Sequence, residues 1–378
     1  VAQALAPTGP ATGTGSSRAG RTVFQVIALV TLLYSFLVSI GLLGKAFKLF
    51  SGGFVGDLIQ SADNPFIGLF EGILVTTLVQ SSSTTTSLVV ALVASGTMPV
   101  AAAIPVIMGA NIGTSVTNTL VSLGHISRGD EFRRAFAAST IHDFFNIAAV
   151  VVLFPLQITT NILGRASAGL AEAFEGIGGL TFSSPLKLLT GPVVSWLARQ
   201  FHDHPWFLLL LSIVIMFGSL RYLVLVLKGL VLARVEQFFD RTLFRNAGLA
   251  MVFGLVITTL VQSSSITTSL AVPLAGAGIL TLRQIFPYTL GANVGTTVTA
   301  ILAALALGEI SAVSVAFAHL LFNIIGIACI WPVPAIRRLP ILAAQRFADL
   351  AVTARWIPLA YIVVFFYLIP FLVIATLR

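Results

Sequence analysis

The strongest constraint on this chain is that one stretch of it is written twice. Gly72 to Asn118 reads GILVTTLVQSSSTTTSLVVALVASGTMPVAAAIPVIMGANIGTSVTN, and Gly254 to Ala300 reads GLVITTLVQSSSITTSLAVPLAGAGILTLRQIFPYTLGANVGTTVTA. The two align without a gap and about half of the paired positions are identical. Composition bias does not produce such a match, so the chain holds a duplicated structural unit. Each copy sets Gln-Ser-Ser-Ser and then Thr-Thr-Ser into an apolar run, and later places Gly-Ala-Asn-(Ile/Val)-Gly-Thr-(Ser/Thr).

Composition decides what surrounds these polar clusters. Hydrophobic residues make up 57% of the chain and charged residues only 9%, against about 25% charged in an ordinary soluble domain. The chain reads as a multi-pass membrane protein whose first partner is the lipid bilayer. The formal charge is +8, but the basic residues stand singly or in pairs at the ends of apolar runs, as interfacial anchors and cytoplasmic loop charges do. That distribution excludes nucleic acid as a partner. The one cysteine, Cys329, allows no intramolecular disulfide, and no cleavable signal is recognised at Val1.

Four segments follow from the pattern. Residues 1–21, rich in Gly, Pro, Ser, Thr and Ala, read as a disordered tail. Residues 22–156 form a first membrane half. It has a span at about Val23 to Leu43, a helix start at Asn64-Pro65, and an apolar run from Phe66 to Val79 that is too short for a bilayer core needing about 20 residues. The run stops at Gln80 and resumes at Leu88, which predicts a broken, re-entrant hairpin of the kind a bilayer tolerates only under cover of protein or water. Spans at Pro99 to Leu123 and Ala135 to Leu156 complete this half, the second with His142, Asp143 and Asn146 at helical spacing.

Residues 157–205 read as a linker outside the membrane with short interfacial helices, and residues 206–378 repeat the plan. Trp206 to Leu232 spans, Ala247 to Ala277 is the second broken hairpin around Gln262, and Ile285 to Leu307 and Ser311 to Trp331 follow. His319 and Asn323 there repeat the spacing of His142 and Asn146. A short basic stretch leads to the last helix, Ile357 to Leu377. An odd number of crossings between the copies inverts one against the other, and the extra span from Trp206 supplies it. The predicted fold is therefore an all-α membrane protein of two inverted repeats, each with a broken re-entrant hairpin plus spanning helices. Secondary transporters have this layout.

Side-chain chemistry narrows the cargo. A broken helix offers free N–H groups at one end and free carbonyls at the other, and Gln, Ser, Asn and Thr both donate and accept. Such a site suits an oxyanion together with a small hard cation such as Na⁺. Ser81, Ser82, Ser83 and Asn111 are the anion candidates of the first copy, and Ser263, Ser264, Ser265 and Asn293 those of the second. Gln80 and Ser115 add oxygens for a cation. Asp143 and Asn146 weight cation binding to the first copy, since Leu320 stands where the second would carry the matching carboxylate. An intramembrane carboxylate costs about 3 kcal/mol on insertion scales. Small hydroxyl residues also serve plain helix packing, a reading that fits single serines better than a Gln-Ser-Ser-Ser cluster occurring twice. The glycines beside Asn111 and Asn293 allow close approach, either to a ligand or to a neighbouring helix.

Two other functions compete with this reading. A hydrolase built on His142 and Asp143 fails because neighbouring residues of a helix point about 100° apart and make no relay. A sodium-coupled carrier of an organic anion, such as a dicarboxylate or amino acid, needs a fixed cation, and only Arg283, at a helix end, lies in either repeat's polar core.

The paired QSSS motifs, the GANIGTSVTN run at Gly109 to Asn118, EFRRAF at Glu131 to Phe136, IHDFFN at Ile141 to Asn146, and the WPVP and RW segments near the end closely resemble the type II sodium/phosphate cotransporter family. The resemblance implies Na⁺-driven import of inorganic phosphate by alternating access, with Na⁺ as coupling ion, no other cofactor and no enzymatic activity. It also implies a multi-pass protein of the inner membrane with both termini cytoplasmic; a homodimer is a further expectation. Carried over residue by residue, it puts phosphate among the QSSS serines and one Na⁺ near Gln262, Ser263, Thr296, Thr299 and Thr114. An Asp at position 143 goes with electrogenic members of that family, and Ala110 fits them too, whereas Met108 is not the small residue expected. The short, cysteine-free linker departs from vertebrate relatives and points to a bacterial member, and His125 and Arg128 stand where the family has Gln and Asp, with Asp130 close by.

Overall fold

A computed structural model describes residues 15–49, 64–176, 185–238, 244 and 246–377. All longer elements among them are helices: α1 (Gly15–Leu49), α2 (Pro65–Val79), α3 (Ser82–Ser95), α4 (Val100–Gly113), α5 (Val116–Leu123), α6 (Gly129–Thr160), α7 (Ile162–Gly176), α8 (Pro185–Gln200), α9 (Pro205–Phe238), α10 (Ala247–Val261), α11 (Ser264–Gly276), α12 (Leu282–Leu307), α13 (Ile310–Ile330), α14 (Pro334–Thr353) and α15 (Ile357–Leu377). Seven spans among the described residues are long and apolar enough to cross a membrane. Polarity is arranged inside out, as a bilayer requires. Phe24, Val30, Leu210, Val214 and Phe371 are exposed on α1, α9 and α15, while Thr76, Asn111, Asn146, Asn293 and Asn323 are buried.

The duplicated segments fold alike down to single contacts. In the first copy Gly72 of α2 lies against the Val106 carbonyl of α4, and Gly109 of α4 against the Leu69 carbonyl of α2. In the second, Gly254 and Gly291 meet the carbonyls of Tyr288 and Met251 in the same way. A Cβ at any of these four glycines would stand 1.8 to 2.1 Å from a backbone oxygen, so only glycine admits the crossing. The close approach foreseen at the GAN motifs is thus used to seat a neighbouring helix. Each hairpin's second arm then packs across onto the other copy, α3 against α12 and α13, and α11 against α5 and α6.

The structure departs from the expected boundaries in several places. Helix α1 begins at Gly15, so residues 15–21 of the expected tail are helical, since extending a helix costs far less than starting one; residues 1–14 lie outside the described residues. The short helices expected in the linker are present as α7 and α8. The first GAN segment is interrupted at Thr114-Ser115, where α4 gives way to α5, whereas α12 runs unbroken through the matching Thr296-Thr297. The Ser115 hydroxyl turns out to His142 Nδ1 at 2.9 Å, while that of Thr297 turns back onto its own helix at the Val294 carbonyl. The basic stretch before the last span is the 20-residue helix α14, with Ile341, Ala344, Ala348 and Ala351 buried along one stripe.

Candidate functional site

Both hairpins break by the same device. Asn64 caps α2 by accepting from Phe66 N–H, and Asn246 caps α10 by accepting from Gly248 and Leu249. Each helix ends on a glutamine in the left-handed region, Gln80 at φ 57° and Gln262 at φ 56°, a conformation that costs a non-glycine residue about 1–3 kcal/mol. Side chains offset that cost. The Gln80 amide donates to the Thr77 carbonyl and accepts from the Thr117 hydroxyl at 2.7 Å. The Gln262 amide donates to the Thr259 carbonyl and accepts from Thr299 at 2.6 Å. Ser81 and Ser263 then cap α3 and α11 by accepting from the N–H groups of Thr84 and Ile266. The glutamine and first serine of each motif therefore hold the break open. The amides of Ser82, Ser83, Ser264 and Ser265, at the first positions of α3 and α11, are left without intrahelical acceptors.

The two breaks meet. Ser83 donates to the Gln262 carbonyl and Ser265 to the Thr114 carbonyl, each at 3.4 Å, and Asn118 of α5 exchanges hydrogen bonds of 2.8 and 3.1 Å with Thr268 of α11. A cavity of about 500 Å³ opens here, lined by Gln80, Ser81, Thr84 and Thr117 of the first copy and by Gln262, Ser263 and Ser265 of the second. Ser82 and Ser264 stand just behind the wall, each 4% exposed. Two helix N-termini, each with a partial positive charge, and a set of hydroxyls make this a place where an oxyanion is stabilised and a small cation finds oxygens.

The remaining candidates form a second, fully buried layer between the GAN helices and the two HxxxN helices. His142 Nε2 meets Asn293 Oδ1, and Asn293 donates to Asn146 Oδ1 at 2.8 Å. Asn146 in turn donates to the Asn111 carbonyl at 2.9 Å, and His319 faces Asn111 Oδ1 at 3.5 Å. Asn111 and Asn293, expected beside the anion, are thus committed to joining the copies. Asp143 extends from this layer toward α15. One carboxylate oxygen accepts from Tyr361 of α15 at 2.9 Å, Ser115 lies beside it, and the other oxygen is buried without a partner. His142 and Asp143 both approach Ser115, the imidazole through Nδ1 at 2.9 Å.

Of the sodium candidates, Gln262 and Ser263 line the cavity and Thr299 is bonded to Gln262. Thr296 and Thr114 are buried, their hydroxyls returned to the carbonyls of Ala292 and Ala110 at 3.1 and 3.0 Å, while the Thr114 carbonyl faces Ser265. These residues share one neighbourhood; Asp143 and Asn146 belong to the other. Sequence reasoning passed over Arg221, which lines the same cavity from α9. The signal was present, since Arg221 is the only charged residue from Trp206 to Leu227. Arg221 lies outside both repeats, so the expectation that only Arg283 stands within either repeat's polar core is untouched. It nevertheless brings a fixed cation to the cavity and removes the absence of one as a ground against an organic-anion carrier.

The family profile described as Na⁺/Pi-cotransporter matches residues 35–181 and 209–330, that is, both copies. Sodium-dependent phosphate transport protein 2B of Homo sapiens is 33% identical over 443 aligned residues, covering 92% of this chain and 64% of that protein, and the Pongo abelii protein of the same name matches to the same extent. Sodium-dependent phosphate transport protein 2A of Ovis aries is 35% identical over 436 residues, covering 94% of this chain and 68% of that protein. The chain spans less than two thirds of the length of the 2B relatives. No solved structure matches it.

Proposed function

This chain belongs to the Na⁺/Pi-cotransporter family, and on that premise we propose that it is a sodium-coupled transporter importing inorganic phosphate by alternating access. The observation that carries the reading is the meeting of two equivalent broken hairpins around one cavity, with helix N-termini and hydroxyls turned to it. Phosphate is held by the amides and hydroxyls of Ser81 to Ser83 and Ser263 to Ser265. One Na⁺ sits among Gln262, Ser263, Thr296, Thr299 and the Thr114 carbonyl, with Gln80 as the equivalent group of the first copy. A further cation is taken at Asp143 with Ser115 and Asn146, which makes the cycle electrogenic. The two copies are inverted in the inner membrane, their hairpins re-entrant from opposite faces, and both termini are cytoplasmic.

The test is uptake of labelled phosphate by proteoliposomes under an inward Na⁺ gradient, with choline replacing Na⁺ as control and with glutamate and succinate as alternative labelled cargoes. Accumulation of phosphate only with Na⁺ supports the reading. Accumulation of succinate or glutamate in place of phosphate would establish the organic-anion reading, which a guanidinium at the cavity wall serves as well as it serves phosphate.

A further inference from the structure

A fixed charge stands where two uncharged polar turns meet. Among the described residues lining the central cavity, Arg221 is the only one with a charge, and it stands beside Gln80, Ser81, Gln262, Ser263 and Ser265. It comes from neither copy of the repeat but from α9, between Phe217, Leu220 and Leu225, which line the same cavity. The side chain is exposed, and among the described residues it has no hydrogen bond or ion pair. Arg221 lies near the end of the span Pro205–Leu223 and lines the cavity that the helix breaks have made, and basic residues of membrane helices that face such a cavity mark ion pathways.

We propose that Arg221 is an anion-binding residue of this cavity, supplying from outside the repeats the one formal positive charge with which phosphate is drawn to and held at the paired serine turns. The inference rests on the phosphate reading for the identity of the cargo and on the cavity geometry for the role of the residue. The chemistry fits three ways. A guanidinium stays charged at every physiological pH and offers planar paired donors that match two oxygens of a phosphate. With no carboxylate partner to release, it can turn to an incoming anion without breaking an ion pair. A charge of one sign at the wall of a cleft also raises the local concentration of the oppositely charged ligand. The N–H groups and hydroxyls of the turns then supply the remaining contacts, and Arg221 makes the cavity attractive to an anion.

The variants Arg221→Gln and Arg221→Lys test this in purified, reconstituted protein. Removing a charge from a membrane helix favours insertion, so loss of fold is not expected; the thermal unfolding midpoint of each variant confirms it. With Na⁺ saturating, Arg221→Gln should raise the half-saturating phosphate concentration about 10- to 100-fold, as loss of a charged hydrogen bond does, with little change in maximal rate at saturating phosphate. Arg221→Lys should recover most of that loss. Half-saturation in the wild type should also rise when ionic strength is increased with choline chloride at fixed Na⁺, and that dependence should be weaker in Arg221→Gln. A merely structural arginine would change the maximal rate or the stability and leave the salt dependence alone. If Arg221→Gln keeps half-saturation within twofold of wild type, the proposal is overturned while the phosphate reading stands. If the wild type carries succinate or glutamate instead, the phosphate reading falls, and the same comparison of half-saturation on that anion decides the role of Arg221.

Discussion

Replacing Gly291 by alanine should destabilise this protein, although the same change in most exposed helix interiors stabilises by about 1 kcal/mol. A Cβ at Gly291 would lie 1.8 Å from the Met251 carbonyl oxygen and 2.7 Å from its carbon. Real Cβ atoms stop at about 3.0 Å from such atoms, so α10 must withdraw from α12 by at least the 1.2 Å between those values. The obstacle is backbone, and no rotamer change relieves it. Overpacking of this kind costs roughly 1–3 kcal/mol. The same withdrawal stretches the 2.6 Å bond from Thr299 to Gln262 past hydrogen-bonding distance and loosens the second break. Gly291→Ala should therefore lower the thermal unfolding midpoint of the purified protein and depress Na⁺-dependent phosphate uptake together. Gly109→Ala, which meets the Leu69 carbonyl at 1.9 Å, should behave alike in the first copy. Gly169→Ala in α7, with nothing within 4 Å of its Cβ position, is the control and should be neutral or stabilising. A Gly291→Ala protein that unfolds at or above the wild-type midpoint would refute the account of how the copies are packed.

The serines of each motif should divide by role: Ser81→Ala and Ser263→Ala remove helix caps and lower stability by about 1 kcal/mol each, whereas Ser82→Ala and Ser264→Ala should leave the unfolding midpoint unchanged and raise half-saturating phosphate; unaltered half-saturation in both would move the anion away from the turns. Uptake should rise with an inside-negative potential set by K⁺ and valinomycin, 100 mV contributing about 2.3 kcal/mol per net charge moved, and Asp143→Gly should abolish that dependence while sparing some Na⁺-coupled uptake; wild-type uptake indifferent to potential would leave Asp143 as a partner for Tyr361 alone. Arg134→Gln should cost about 1–3 kcal/mol, because Arg134 donates to the Gly276 carbonyl at 2.6 and 3.0 Å and closes the end of α11 against α6; an unchanged midpoint would show that this clamp carries no stability.

Much of the architecture was legible because it is local. Asn64-Pro65 starts a helix through its own side chain and ring, the apolar run to Val79 is too short to span, and Gln80-Ser81 interrupts it. None of that depends on distant residues, and the second copy repeats it from Asn246 to Ser263. The division of labour within the motifs was not legible. Which serine caps, which reaches the other copy and which stays without a partner depends on how two hairpins far apart in the chain are set against each other. The helical character of residues 334–353 was written in the spacing of Ile341, Ala344, Ala348 and Ala351 but was masked by Arg337, Arg338 and Arg346 around them.

By itself the sequence determined the membrane class, the duplication, the two helix breaks and the kinship, since these follow from composition and from patterns among neighbouring residues. Only the tertiary structure decided that the GAN glycines serve helix crossing, that Asn111 and Asn293 join the copies through His142, Asn146 and His319, that Thr114-Ser115 breaks one span while Thr296-Thr297 continues the other, and that Arg221 reaches the cavity of the serine turns. The physical reason is the same in each case. A helix offers several faces of similar apolarity, and which of them meets a partner is set by backbone approach and hydrogen bonding between different helices, for which no pattern of neighbouring residues carries a signal.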